Sequence, residues 1–189
     1  MNYTIGQAAL GGIIAYINGG GASGTSGLVA TVADISSGAS WGCDQVTIGT
    51  TSSDIGTGNQ NTIDIMTGCA TAGIAARLCG DLVEGGYSDW YLPSADELYR
   101  LYLNRVLIGG FTSNEYWSST EHDVGTVDAY ARSFLNGDPT TNLKIDPFYV
   151  RAVRSFPVTT TCDPLFDKHA YGDECGADRF RRLRHLGYV

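Results

Sequence analysis

Three histidines, five cysteines and twenty carboxylates are the groups in this chain with chemical reach, and their spacing limits what they can do. His122 stands in "SSTEHD", beside Ser118, Ser119, Glu121 and Asp123, the residue types of a hydrolytic triad. The two serines follow Trp117 in a segment that reads as a strand, and no GxSxG elbow exposes a nucleophile. His122 therefore reads as a loop histidine at the surface. Glu115, Glu121, Asp123 and Asp128 lie close in sequence, but acid/base catalysis needs two carboxylates held at a set separation. Solvated loop charges are the simpler expectation. "GGGASGTSG" lacks the lysine and the following helix of a phosphate loop. In "DKHAYGDECGAD" Gly172 suits a calcium loop, but His169 and Tyr171 fall where oxygen ligands belong. Cys162, His169, Cys175 and His185 match no familiar zinc spacing. No catalytic residue, metal or cofactor is expected, and the chain is read as not an enzyme.

The cysteines allow bridges instead. Cys162 and Cys175 bracket a polar loop, and a disulfide there would stabilise by about 3 kcal/mol through restriction of the unfolded chain. Cys43 with Cys69 is a second option, leaving Cys79 as a small buried thiol on a helix. Five reduced thiols are the alternative in a reducing compartment.

What remains is recognition. Tyr116, Tyr130, Phe148 and Tyr149 alternate with Asn, Asp, Arg and Ser, a mixture that suits contact with a sugar or a protein. The candidate ligand-binding residues are Tyr116, Glu121, His122, Asp128, Tyr130, Arg132, Asn136 and Tyr149. Trp117, Phe134 and Val153 are expected in the core.

These residues need a frame. "GIIAYI" (12–17) and "GLVATV" (27–32) read as a hairpin pair, and the Gly/Ser/Thr-rich stretch around Trp41 as a long loop. Apolar spacing from Asn59 to about Leu82 predicts one broken helix, or two short ones joined near Gly68. In "GGYSDWYLPSADELYRLY" (85–102), Pro93 fixes the backbone, Ser94 is an N-cap and Glu97 completes a capping box. A helix over Ala95 to about Leu103 follows. Trp90 and Leu92 point to the core. After Gly110, "EYWSSTE", "DAYARSFLNG" and "FYVRAVRSF" read as antiparallel strands joined by polar loops. Strands, helices, strands is the order of an α+β domain, ending near Phe156.

With 189 residues the chain is long enough for one well-filled core. The four arginines Arg179, Arg181, Arg182 and Arg184 crowd the end, leaving 8 basic against 20 acidic residues before them, a net −12. An acidic body argues against nucleic-acid binding; the basic tail reads as a segment that docks on an acidic neighbour. No run approaches the ~20 apolar residues of a membrane helix. The N-terminal run has no basic n-region, so no secretion signal is expected and a surface destination would need another route, such as lysis.

"GGIIAYI", "GLVATVADIS", "WGC", "GTGNQNT", "AARLC", "GGYSDWYLPSADEL", "YWSSTE" and "YVRAVRSF" follow one another in the order that resembles the Lcl C-terminal domain family, over residues 4 to 156. That family closes a bacterial collagen-like adhesin and occurs on phage tail and surface proteins. The resemblance implies a C-type-lectin-like α+β fold of short antiparallel strands, two main helices and long loops. It further implies a working face on the loops around residues 113–147. The sugar-binding calcium signatures EPN, QPD and WND are missing, as are the paired cysteines of formylglycine-generating enzymes, so neither activity is carried over. Residues 1–156 would form the domain and 157–189 an extension that docks or anchors it. The function expected is a non-enzymatic virion structural, decoration or receptor-binding protein of a phage. Its partners would be capsid or tail proteins, a host surface glycan or protein, or further copies of itself. A bacterial cell-surface adhesin is the alternative, and a formylglycine-generating-like enzyme the last. For an adhesin, the acidic body favours neutral sugars or proteins over sulfated glycans.

Overall fold

The computed structural model describes residues 2–49, 51–122 and 127–156. A first group of strands comprises β1 (Tyr3–Thr4), β2 (Ala8–Ala9), β3 (Gly12–Ile17), β4 (Ser23–Gly24), β5 (Gly27–Ala30) and β6 (Ser36–Ala39). The helices follow: α1 (Gly58–Gly68), α2 (Ala75–Gly80), α3 (Ala95–Leu103) and α4 (Arg105–Ile108). The last strands are β7 (Glu115–Glu121), β8 (Asp128–Ser133), β9 (Pro139–Leu143), β10 (Phe148–Val150) and β11 (Val153–Phe156). The fold is α+β, with the strands before and after a helical middle. No helix among the described residues is long and apolar enough to cross a membrane.

Two sheets carry the structure. One has the order β11-β5-β3-β2 and the other β6-β10-β7-β8-β9, while β1 pairs with β4. The β3–β5 hairpin forms as the apolar runs predict, antiparallel with Ile14 opposite Val29 and Ile17 opposite Gly27. Every residue of β5 is buried. The reason is that both faces of this sheet meet apolar side chains. Val29 joins one cluster with Ile14, Trp41, Trp90, Leu92 and Trp117. Leu28 and Ala30 join a second with Tyr91, Leu98, Leu101, Tyr116 and Phe134. Strand alternation thus sends successive side chains into two cores. The extended "DWYLP" segment does the same: Trp90 and Leu92 enter the first core, as expected, and Tyr91 enters the second.

α3 begins and ends where its caps place it. Ser94 Oγ accepts from the Glu97 amide, and the Glu97 carboxylate accepts from the Ser94 amide. Leu98 and Leu101 are the buried stripe. Between Asn59 and Leu82 the two-helix alternative holds, with α1 ending at Gly68.

Several segments differ from expectation. The stretch around Trp41 contains β6, which pairs with β10. β9, "PTTNL", forms in a stretch whose sequence reads as a polar loop, because a sheet edge with alternating exposure lacks an apolar signal. "FYVRAVRSF" is two strands in two different sheets, broken at Arg151 and Ala152. The expected all-antiparallel pairing is also corrected: β10 runs parallel to β7, Tyr149 opposite Tyr116.

Cys43 and Cys69 form a disulfide, their Cα atoms 5.5 Å apart, which ties the loop after Trp41 to the end of α1. Cys79 is a free, buried thiol on α2, and burial pushes its pKa up. The second bridge, Cys162 with Cys175, and the arginines Arg179, Arg181, Arg182 and Arg184 lie outside the described residues. Tyr3 and Phe156 meet edge to face, their ring centroids 5.4 Å apart.

Candidate functional site: a polar cleft at the start of α3

The motif residues are mostly frame. Arg154 grips Asp89 with two nitrogens at 2.7 and 2.9 Å and lies over the Tyr87 ring. Arg151 is fully buried; it donates to Asp34 and to the carbonyls of Thr31, Val32 and Gly110. Asn61 of "GNQNT" exchanges two bonds with the backbone of Ser52 and donates to Ser119 Oγ. Thr62 accepts from the Leu92 amide. A Cβ at Gly58 would come within 2.3 Å of Glu97 Oε2, so the glycine lets α1 approach the cap of α3. Ser118 and Ser119 of "YWSS" are buried at 1% and 0%; Ser118 Oγ donates to the Tyr130 carbonyl. Both serine hydroxyls therefore serve as packing hydrogen bonds rather than as exposed nucleophiles.

That frame holds a cleft of about 470 Å³ lined by Thr51, Ser52, Ser53, Ala95, Asp96, Thr120, Tyr130, Arg132 and Pro139. Each wall has an identifiable support. The Asn61 clasp fixes Ser52, and the Ser53 carbonyl accepts from the Asp96 amide. Thr120 Oγ1 accepts from the Ala95 amide and donates to the Ser52 carbonyl. The first amides of α3 are thus taken, so the helix start offers no anion nest. On β8, Ala129 and Ala131 face the core, which turns Asp128, Tyr130 and Arg132 to the other face. The Arg132 guanidinium stacks 4.4 Å from the Tyr99 ring of α3, and its Nη1 donates to the Gly137 carbonyl. Desolvation pulls its pKa below the ordinary arginine value, while nearby Tyr99 and Asp96 favour the charge. The Tyr130 ring meets His122 edge-on at 5.2 Å.

Of the residues read as ligand-binding, Tyr130 and Arg132 line the cleft. His122 lies against Tyr130, and Asp128 shares its strand face; both are half-buried. Two assignments are corrected. Tyr116 is 0% exposed, under Phe111, Phe134 and Tyr149, with its hydroxyl donating to Asp34 and burial raising its pKa. Glu121 is 4% exposed and ion-paired with Lys144, where it also accepts from the Ile48 and Gly49 amides. Both were expected at the surface because strand alternation cannot show that β7 is buried on both sides. Asn136 is exposed in the β8–β9 turn and binds Asp138. Tyr149 is half-buried against Tyr116, on β10, with β7 between that strand and β8. Within 113–147, Tyr116–Glu121 of β7 and the core-facing Ala129 and Ala131 of β8 are buried, while Tyr130, Arg132 and Pro139 of that range line the cleft.

Sequence reasoning missed Asp96, Ser53, Thr51, Ser52, Thr120 and Pro139. Asp96 signals by its type only a carboxylate in the first turn of α3, favoured there by the helix dipole, and the serines and threonines signal only loop composition. Among the described residues, no three His, Cys, Asp or Glu side chains gather as a metal site.

The sequence model described as the Lcl C-terminal domain matches residues 30–154. No match is found among curated proteins.

Proposed function

The chain belongs to the Lcl C-terminal domain family, and from that premise we propose that it is a non-enzymatic, lectin-like recognition module, carried on a phage virion, that offers the α3–β8 cleft to a ligand on a surface. The cleft itself carries the reading. Charged, hydroxyl and aromatic side chains converge there on two rigid elements, the arrangement expected of a small-ligand site. Its residues are held by second contacts, Arg132 by Gly137 and Tyr99, Tyr130 by His122, so a ligand meets them already placed. The serines and buried carboxylates that chemistry would require are engaged in the frame, which supports binding over catalysis.

The test is adsorption of the labelled full chain to intact bacterial cells, comparing wild type with Tyr130→Ala and Arg132→Gln. Saturable binding that both variants weaken at least tenfold is expected. Binding indifferent to both variants, or no binding, overturns the reading. Mass spectrometry of purified particles from the source addresses placement. Many copies per particle fit decoration, and a few fit a receptor-binding tip. In the same assay, replacing Arg179, Arg181, Arg182 and Arg184 by glutamine should reduce incorporation if the extension is the docking segment.

A second placement, on the bacterial cell surface as an adhesin, is favoured by one observation. The Cys43–Cys69 disulfide suits maturation in an oxidising compartment. Absence of the chain from particles, with presence on whole cells, would select it.

A further inference from the structure

The groups around the cleft divide into those already bonded within the protein and those left open. Thr120 Oγ1 is engaged by Ala95 and Ser52, Ser52 Oγ by Asp54, and Thr51 Oγ1 accepts from the Glu121 amide. Among the described residues, no hydrogen bond is made by the Asp96 carboxylate, the Ser53 hydroxyl or the Tyr130 phenol. Arg132 spends only Nη1, on Gly137; its Nε is buried without a partner.

The open set has a definite chemical complement. Asp96 only accepts, Arg132 only donates, and the two hydroxyls do both. An anionic ligand would satisfy Arg132 and be opposed by Asp96, and a cationic ligand the reverse. A neutral polyol satisfies both at once, its hydroxyls donating to the carboxylate and accepting from the guanidinium. The Tyr130 ring offers an apolar face beside these polar groups, as the C–H face of a pyranose requires. The volume suits a mono- or disaccharide better than a folded partner. The acidic body adds long-range repulsion of anions.

We propose that the cleft binds an uncharged pyranose through neighbouring hydroxyls, shared between Asp96 and Arg132 with Tyr130 against the ring, by direct protein contacts rather than through a metal ion. The inference rests on the recognition reading above and narrows its ligand to neutral glycans.

It is tested by titration calorimetry and a glycan array with the full chain. The array carries neutral hexose and N-acetylhexosamine glycans beside uronic-acid, sialylated and sulfated ones, with and without EDTA. Neutral glycans should bind, with affinity changed less than twofold by EDTA. Asp96→Asn, Arg132→Gln and Tyr130→Ala should each weaken binding tenfold or more. Asp96 is exposed, so its variant should keep the wild-type unfolding midpoint. Binding confined to anionic glycans, strengthening by Asp96→Asn, loss in EDTA, or no glycan binding would each overturn the proposal. If cell adsorption still depends on Tyr130 and Arg132 while neutral glycans fail, the ligand class falls and the recognition reading stands. If adsorption also fails, both fall.

Discussion

Lys144 and Glu121 form an ion pair sealed in the interior, with 0% and 5% of their side chains exposed. The ammonium also donates to the Val46 carbonyl and lies 4.9 Å from the Trp41 ring centre, while the carboxylate accepts from the Ile48 and Gly49 amides. The pair therefore clasps the loop that leads into Thr51, Ser52 and Ser53. Removing one partner strands a buried charge, at a cost of about 3–5 kcal/mol. Glu121→Gln and Lys144→Met should each lower stability on that scale in urea unfolding, and the double variant should lose less than the sum. Strict additivity would show that the two charges do not support each other.

The capping box should behave as a buried carboxylate site. Ser94→Ala is expected to cost about 1–2 kcal/mol, since Ser94 Oγ both caps α3 and donates to the Asp54 carbonyl. Desolvation raises the Glu97 pKa against the hydrogen bonds it accepts. A raised folded-state value means a contribution present in acid and lost as pH rises through that value. Glu97→Gln keeps the capping geometry without the charge. Relative to wild type it should gain stability between pH 4 and pH 7, read from urea midpoints. A relative loss over that interval would mean that the donors around Glu97 favour its ionised form.

Asp89 should show the opposite sign. The hydrogen bonds from Arg154 lower its pKa, so its contribution is present above the ordinary aspartate value of about 3.9 and fades as pH falls through the lowered one. Its side chain is 57% exposed, so solvent screening limits the loss in Asp89→Asn to about 1 kcal/mol at pH 7. The difference from wild type should shrink towards pH 2. A constant difference across that range would assign the loss to packing.

Reducing the Cys43–Cys69 bridge, or replacing both residues by serine, should cost about 3–4 kcal/mol for its separation of 26 residues. Cys79 should resist a thiol reagent until global unfolding, because it is fully buried. Native-state labelling of Cys79 would mean that α2 opens locally.

The sequence displayed what local chemistry dictates. Ser94 and Glu97 announce a helix start through bonds between near neighbours, and the short apolar runs of β3 and β5 announce their hairpin. The Cys43–Cys69 bridge stood only as one option, since nothing in their spacing brings the ends together. Tyr116 and Glu121 were misplaced for the same reason in reverse: their burial comes from α3, Lys144 and the 44–49 loop, all remote in sequence. Tyr130 and Arg132 were found through residue type. Asp96 and Ser53 were not, because the cleft exists only where α3 meets the face of β8.

The edge-to-face contact of Tyr3 and Phe156 brings the beginning and end of the folded domain side by side. A polypeptide running through the domain arrives and departs at nearly the same place. Placed within a longer chain, a domain of this kind would sit beside the line of that chain rather than in it. It can be grafted into a surface turn of another protein with little stretching of the host backbone, and tension along that backbone would bypass its interior.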